Sequence, residues 1–314
     1  FFFNGWSLAG SAEKKTGKSG PVKQTTRRMT AMPDDEPAVS SSSTGPEMVP
    51  VKPGSRIALL IGNSAYGGGI DLANPLNDVR AFAGALQKNG FEVIKLENAR
   101  KGDMLDGLWK FENQMSEREA ALVYYSGHGI QIHENNYLVP VGADLRSEAF
   151  VEDQCINSLT IQNILEKGRL PVNILILDAC RSGLKTSSTR SLGGGMAAMA
   201  SKAGSELMII FSTAPGQVAL DGAAGGNSPF MNAFLRHMPQ PGLSIGDLFA
   251  RVGRDVFQQT QTQNPWMNTS LFNYFSFVPG AKNSNQNDSG NPVAGPVSSP
   301  SAAKDGITLP YLGT

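Results

Sequence analysis

Three histidines and two cysteines are the whole stock of imidazole and thiol in 314 residues. One of each stands where chemistry would need it. His128 lies in Tyr125-Ser126-Gly127-His128-Gly129, just past the apolar run 121–124. Cys180 lies in Asp178-Ala179-Cys180-Arg181-Ser182-Gly183, just past the apolar run 174–177. A thiol of ordinary pKa is only a few per cent ionised at neutral pH, so a nucleophilic cysteine needs a base or positive charge beside it. An imidazole raises the thiolate fraction and can later protonate a leaving amine. The pair therefore reads as the catalytic dyad of a cysteine hydrolase. The backbone amides of Gly129 and Cys180 would hold the tetrahedral oxyanion, and Gly127 and Gly129 would let the main chain approach substrate. Cys155 falls between strands, His133 in a polar loop, and His237 at a helix end where a cation suits the dipole.

Both candidates follow the carboxyl end of a buried strand, the edge at which open α/β sheets bind ligands. The spacing predicts strands at 56–62, 91–96, one ending at 125, 173–177, 207–212 and 271–277, with a further short strand at 137–140. Between them, Asn74-Pro75 supplies a helix start, and Val79, Phe82, Ala83 and Leu86 carry helical spacing to a stop at Asn89-Gly90. Met104, Leu105, Leu108, Trp109 and Phe111 mark a second amphipathic helix; others fall near 160–166, 230–237 and 245–260. Strands alternating with helices imply parallel pairing with right-handed crossovers. The expected fold is a three-layer α/β domain, a mostly parallel six-stranded sheet with helices on both faces.

Residues 1–54 and 280–314 are rich in Ser, Pro, Lys, Asp and Asn without apolar periodicity, and read as disordered arms flanking one domain at 55–279. The opening Phe1-Phe2-Phe3, Trp6 and Leu8, followed by Gly10-Ser11-Ala12, fits a clipped secretory signal as well as it fits a plain terminal segment, so the compartment stays open between cytoplasm and export. Net charge is zero with no basic cluster among aromatics, which argues against a nucleic-acid partner. No apolar stretch is long enough to span a membrane. Gly193-Gly194-Gly195 follows no strand and lacks the Lys-Ser/Thr of a phosphate loop, so it reads as a linker.

These motifs resemble the caspase superfamily, particularly its bacterial metacaspase-like and paracaspase-like members. Caspases carry Gln-Ala-Cys-(Arg/Gln/Gly)-Gly with the histidine about 50 residues upstream. Here Asp-Ala-Cys-Arg-Ser-Gly follows His128 by 52 residues, and Ile61-Gly62-Asn63, Tyr66 and Asn77-Asp78 also match, so the resemblance spans about 55–279. It implies a caspase-like fold and endopeptidase activity. It also implies an acidic pocket for the residue before the cut, formed by Asp78 and Asp178 with Ser126 at its wall and Asp221 as a third acid. Carboxylates there would accept Lys or Arg and repel Asp, the reverse of a caspase.

The segment from Lys185 to Lys202 is mobile by composition and holds basic residues, so self-cleavage after Lys185, Arg190 or Lys202 is expected of such an enzyme. No cofactor is implied. Calcium dependence is common among metacaspases, but Asp144, Glu148, Glu152 and Asp153 match no calcium loop and read as a solvated face. Two other functions remain open: a catalytically idle scaffold for protein interaction, and a thiol hydrolase acting on small amides or esters.

Overall fold

The structure, a computed structural model, describes residues 51–180 and 195–280. The expected arms, apart from 51–54 and Gly280, lie outside the described residues, as do Lys185, Arg190, Gly193 and Gly194. Residues 51–54 pack on the body: Gly54 N–H donates to Gly90 O, and a side chain on Gly90 would strike Val51.

The elements run β1 (Arg56–Gly62), α1 (Pro75–Lys88), β2 (Phe91–Glu97), α2 (Lys101–Gln114), β3 (Ala120–Ile132), β4 (Asn135–Leu138), α3 (Glu148–Gln154), β5 (Ile156–Asn157), α4 (Ser158–Gly168), β6 (Val172–Cys180), β7 (Leu207–Phe211), α5 (Pro229–His237), α6 (Ile245–Thr260) and β8 (Trp266–Thr269). The sheet order is β2-β1-β3-β6-β7-β8, parallel except for β8. β4 pairs antiparallel with the far end of β3, and β5 with β4.

Alternation along the strands sorts the core into two layers. Ala58, Leu60, Leu122, Tyr124, Ile174 and Ile176 face α1, α5 and α6; Ile57, Leu59, Ile61, Val123, Tyr125, Leu175 and Leu177 face α2 and α4. Each central strand is buried on both sides, which is why it reads as an unbroken apolar run.

Four local expectations are corrected. β3 does not stop at 125 but continues through His128, because β4 folds back to pair with it from Gly129 onward. β6 likewise runs on to Cys180. The closing strand is β8 rather than 271–277; that later stretch is held instead by the Arg56 guanidinium, which donates to the Ser276 and Phe277 carbonyls and stacks on Phe275. On α2 the buried residues are Met104, Gly107, Leu108 and Phe111, whereas Leu105 and Trp109 face solvent, Trp109 at 69% exposure. Gly107 explains the shift: any side chain there would collide with Leu96, so this is where the helix meets the sheet.

The stretch from Gly195 is also docked rather than loose. Met196 and Met199 are buried in the α2/α4 layer, and the Asn136 amide bonds both the N–H and the carbonyl of Ala197. Composition conceals this because two methionines and the distant amides of Asn136, Gln162 and Asn268 hold the segment. α3 and β5 are too short to have left a periodic signal.

Candidate active site

The parallel register of β3 and β6 sets His128 opposite Cys180, so their backbones lie one strand spacing apart, about 4.8 Å. His128 is 1% exposed. Its ring stacks on Tyr66 at 4.5 Å between centroids, and its Nε2 lies 2.6 Å from the Ile70 carbonyl. That carbonyl can only accept, so Nε2 carries the proton, which leaves Nδ1 as the basic ring nitrogen. The His128 amide donates to Tyr66 Oη, and its carbonyl accepts from Tyr125 Oη and the Val139 amide.

The loop that brings Tyr66 and Ile70 here is itself pinned. Asn63, fully buried, bonds Ala99 through both its N–H and carbonyl and also donates to Val139 O. Asn98 Oδ1 accepts from the Ser64 and Ala65 amides, and Asp71 Oδ1 from Gly67 N–H. Gly127 is required for a reason other than substrate approach: a Cβ there would lie 2.5 Å from Tyr66 Oη and 2.7 Å from Tyr125 Oη. Gly129 is confined similarly, with Ala179 Cβ at 3.0 Å.

On the α1/α5 side lies an acidic pair: Asp178, two residues before the end of β6, and Asp78 from the first turn of α1. Asp78 is 0% exposed and Asp178 2%. Asp78 Oδ1 accepts from Asn227 Nδ2 and Ser228 N–H, both at 2.9 Å, and Oδ2 from Ser126 Oγ at 3.3 Å. Asp178 Oδ2 accepts from Ser228 Oγ at 2.6 Å and Tyr124 Oη at 3.3 Å. Burial, then the charge of Asp178, pushes the Asp78 carboxyl up to about 7. Burial pushes Asp178 up to about 6, against the Ser228, Ser212 and Tyr124 hydroxyls that favour its ionised form. Ser212 faces the carboxyl without completing a hydrogen bond, and Asp178 Oδ1 has no hydrogen-bond partner among the described residues.

The structure thus brings together His128, Gly129, the Cys180 backbone, Ser126, Asp78 and Asp178. Asp221 stands nearby in a different role. Its carboxylate accepts from the Ala73 and Asn74 amides, while Asn74 Nδ2 donates to the Asp221 and Ala223 carbonyls. Asp221 therefore ties the β7–α5 loop to the start of α1 and reaches Asp178 only through its charge. Asn74 occupies the expected cap position without a side-chain cap bond: its Nδ2 is engaged in this tie, and its Oδ1 has no hydrogen-bond partner among the described residues.

Lys202 stands at the opposite edge of the sheet. Its Nζ pairs with Glu166 at 2.6 Å and its amide donates to the same carboxylate, close to where β6 begins. From there to Cys180, opposite His128, β6 runs seven residue steps from Asn173, roughly 23 Å of strand. Cys155 is buried and its thiol is pushed up to about 12 by that burial, as befits packing. Glu148, Glu152 and Asp153 lie on α3, while Asp144 pairs with Arg146. Among the described residues no group of three acidic, histidine or cysteine side chains gathers as for a metal ion, and no helix is long and apolar enough to cross a membrane.

Sequence reading missed Tyr66 as the support of the histidine, and Tyr124, Asn227 and Ser228 as the donors to the acids. Only Ser228 left a signal: Ser-Pro before an apolar run is a helix start, and Ser228 caps α5 by accepting from Met231 N–H.

A mostly parallel sheet with helices on both faces, His and Cys paired across adjacent strands and a hairpin extending the histidine strand define a caspase-like α/β protein. Residues 55–276 match the peptidase family C14 caspase domain, and the chain belongs to that family. It is 33% identical over 131 residues to the mucosa-associated lymphoid tissue lymphoma translocation protein 1 of Homo sapiens and to its homolog of Mus musculus. Each match covers 40% of this chain and 15% of the relative's length.

Proposed function

We propose that this chain is a cysteine endopeptidase that cleaves after Arg or Lys, with Cys180 as nucleophile and His128 as base. The observation that carries the specificity is the buried acidic pair beside the His–Cys register. Two carboxylates with an unpartnered oxygen, and no ion pair to a described cation, favour a guanidinium or ammonium group and disfavour an Asp side chain.

The chemistry follows from the tautomer. With Nε2–H held by Ile70 O, Nδ1 takes the thiol proton; the thiolate attacks the scissile carbonyl carbon, and the C–S bond forms as the carbonyl oxygen becomes an oxyanion. The Gly129 and Cys180 amides, on paired strands, are the candidate donors to it. The imidazolium returns its proton to the leaving amine as the peptide C–N bond breaks. Water, deprotonated by His128, then hydrolyses the thioester and frees the thiol. Asp78 and Asp178, with Ser126, hold the basic side chain, and Asp221 adds negative potential. Self-processing after Lys185 or Arg190 accords with this specificity. Lys202 could be cut only by a second molecule or after the segment leaves its dock.

Fluorogenic peptides ending in Arg, Lys or Asp, offered to wild type and Cys180→Ala, test the reading. Turnover of the basic peptides by wild type alone is expected, and intact masses of the same two proteins read out self-processing. Equal turnover by both proteins removes Cys180 from the mechanism, preference for Asp removes the pocket assignment, and no turnover of any peptide favours a scaffold.

A further inference from the structure

Ser228 makes three bonds at one point. Its Oγ donates to Asp178 Oδ2 at 2.6 Å, its N–H donates to Asp78 Oδ1 at 2.9 Å, and its Oγ accepts from Met231 N–H at 3.0 Å. It is the one described residue bonded to both acids, and it is buried. The acids come from separate elements: Asp78 from the first turn of α1, Asp178 from the end of β6. Ser228, at the start of α5, fixes their mutual position. Accepting from Met231 N–H takes up an oxygen lone pair, and the hydroxyl proton goes to Asp178 Oδ2, an acceptor only 2.6 Å away.

We propose that Ser228 is a positioning residue for specificity: it holds Asp78 and Asp178 as one receptor and keeps Asp178 ionised for a basic side chain. This rests on the reading of the acidic pair as the Arg/Lys pocket. The groups facing the pair are Tyr124 and Ser126 from β3, Ser212 after β7, and Asp221 and Asn227 from the loop before α5. None is cationic. Apart from two neutral hydroxyls and the positive end of α5, nothing else among them offsets the charge on Asp178. Of its donors Ser228 is the closest, and a donor to a carboxylate lowers its pKa.

Ser228→Gly is the discriminating substitution. Glycine keeps the backbone N–H to Asp78 and is well tolerated as a helix cap, yet it removes the hydroxyl; Ser228→Thr keeps both. For an Arg-ending peptide, Ser228→Gly should raise KM about tenfold, the worth of one hydrogen bond to a charged group, with kcat within about threefold. The acid limb of kcat/KM should move up by about one pH unit, and Ser228→Thr should match wild type. Equal impairment in both variants, or a lower melting temperature with KM and the acid limb unchanged, overturns the proposal. Carbon-13 NMR of labelled aspartate carboxyls in Cys180→Ala protein reads the same point without turnover. An Asp178 titration unmoved by Ser228→Gly overturns the proposal whatever the peptides show. A wild type that ignores basic peptides, with Asp178 shifted as expected, overturns the pocket reading and with it the specificity role, and leaves only the hold of Ser228 on the Asp178 charge.

Discussion

Replacing Asp78 by Asn should make the protein more stable and less active at once. Asp78 is fully buried and its carboxyl is pushed up to about 7 by burial and by Asp178. In the unfolded chain the same group titrates near 3.9. The protonated form is therefore the one the fold prefers: its contribution is complete below the unfolded value and is lost as pH rises through about 7. A displacement of roughly three pH units, at about 1.4 kcal/mol each, sets a ceiling of about 4 kcal/mol on the cost at pH 8. Asparagine escapes it at small expense. Its Oδ1 can keep the Asn227 and Ser228 donors, and its Nδ2 meets Ser126 Oγ, a hydroxyl able to turn from donor to acceptor. The amide still has to be buried, so a net gain of about 1–2 kcal/mol is expected at pH 8, about 2–8 °C in melting temperature for a domain of this size. It should vanish near pH 4. Thermal and urea unfolding from pH 4 to 8, in a Cys180→Ala background that cannot cut itself, measures it. In the active background the same change should lower kcat/KM for an Arg-ending peptide by at least a hundredfold through KM. A variant less stable than wild type at pH 8, or a difference independent of pH, would refute the argument from repulsion and burial.

Two further substitutions test the scaffold around the site. Tyr66→Phe keeps the ring against His128 but removes the acceptor of its amide, so stability should fall by about 1–3 kcal/mol and kcat more than KM, as unfolding and steady-state kinetics would show. Gly62→Ala would set a methyl 2.7 Å from Pro75 O and 2.8 Å from Val79, and α1 must shift; overpacking of that kind costs about 1–3 kcal/mol. Because α1 carries Asp78, KM for basic peptides should rise with it, and an unchanged KM beside a clear stability loss would separate the helix position from the pocket.

The sequence by itself determined the layered α/β plan, because strands buried on both faces must be apolar throughout and helices packed on one side must be apolar every three or four residues. It also singled out the histidine and cysteine as candidates, since few residue types can do this chemistry and each follows an apolar run. Acids two residues from the cysteine and early in α1 were legible through a family resemblance. What only the tertiary structure decided is how those groups are held. The Ile70 carbonyl that selects the histidine tautomer lies 58 residues from it, and Ser228 lies 50 residues from Asp178 and 150 from Asp78. No periodicity encodes contacts made by single backbone groups or hydroxyls across such separations. For the same reason the tie of Asp221 to the start of α1, the clearance Gly127 gives two tyrosines and the docking of 195–206 left no local signal. Local pattern sets which elements form and which side faces in. Long-range hydrogen bonds, made only once the layers have closed, decide how each carboxylate is held.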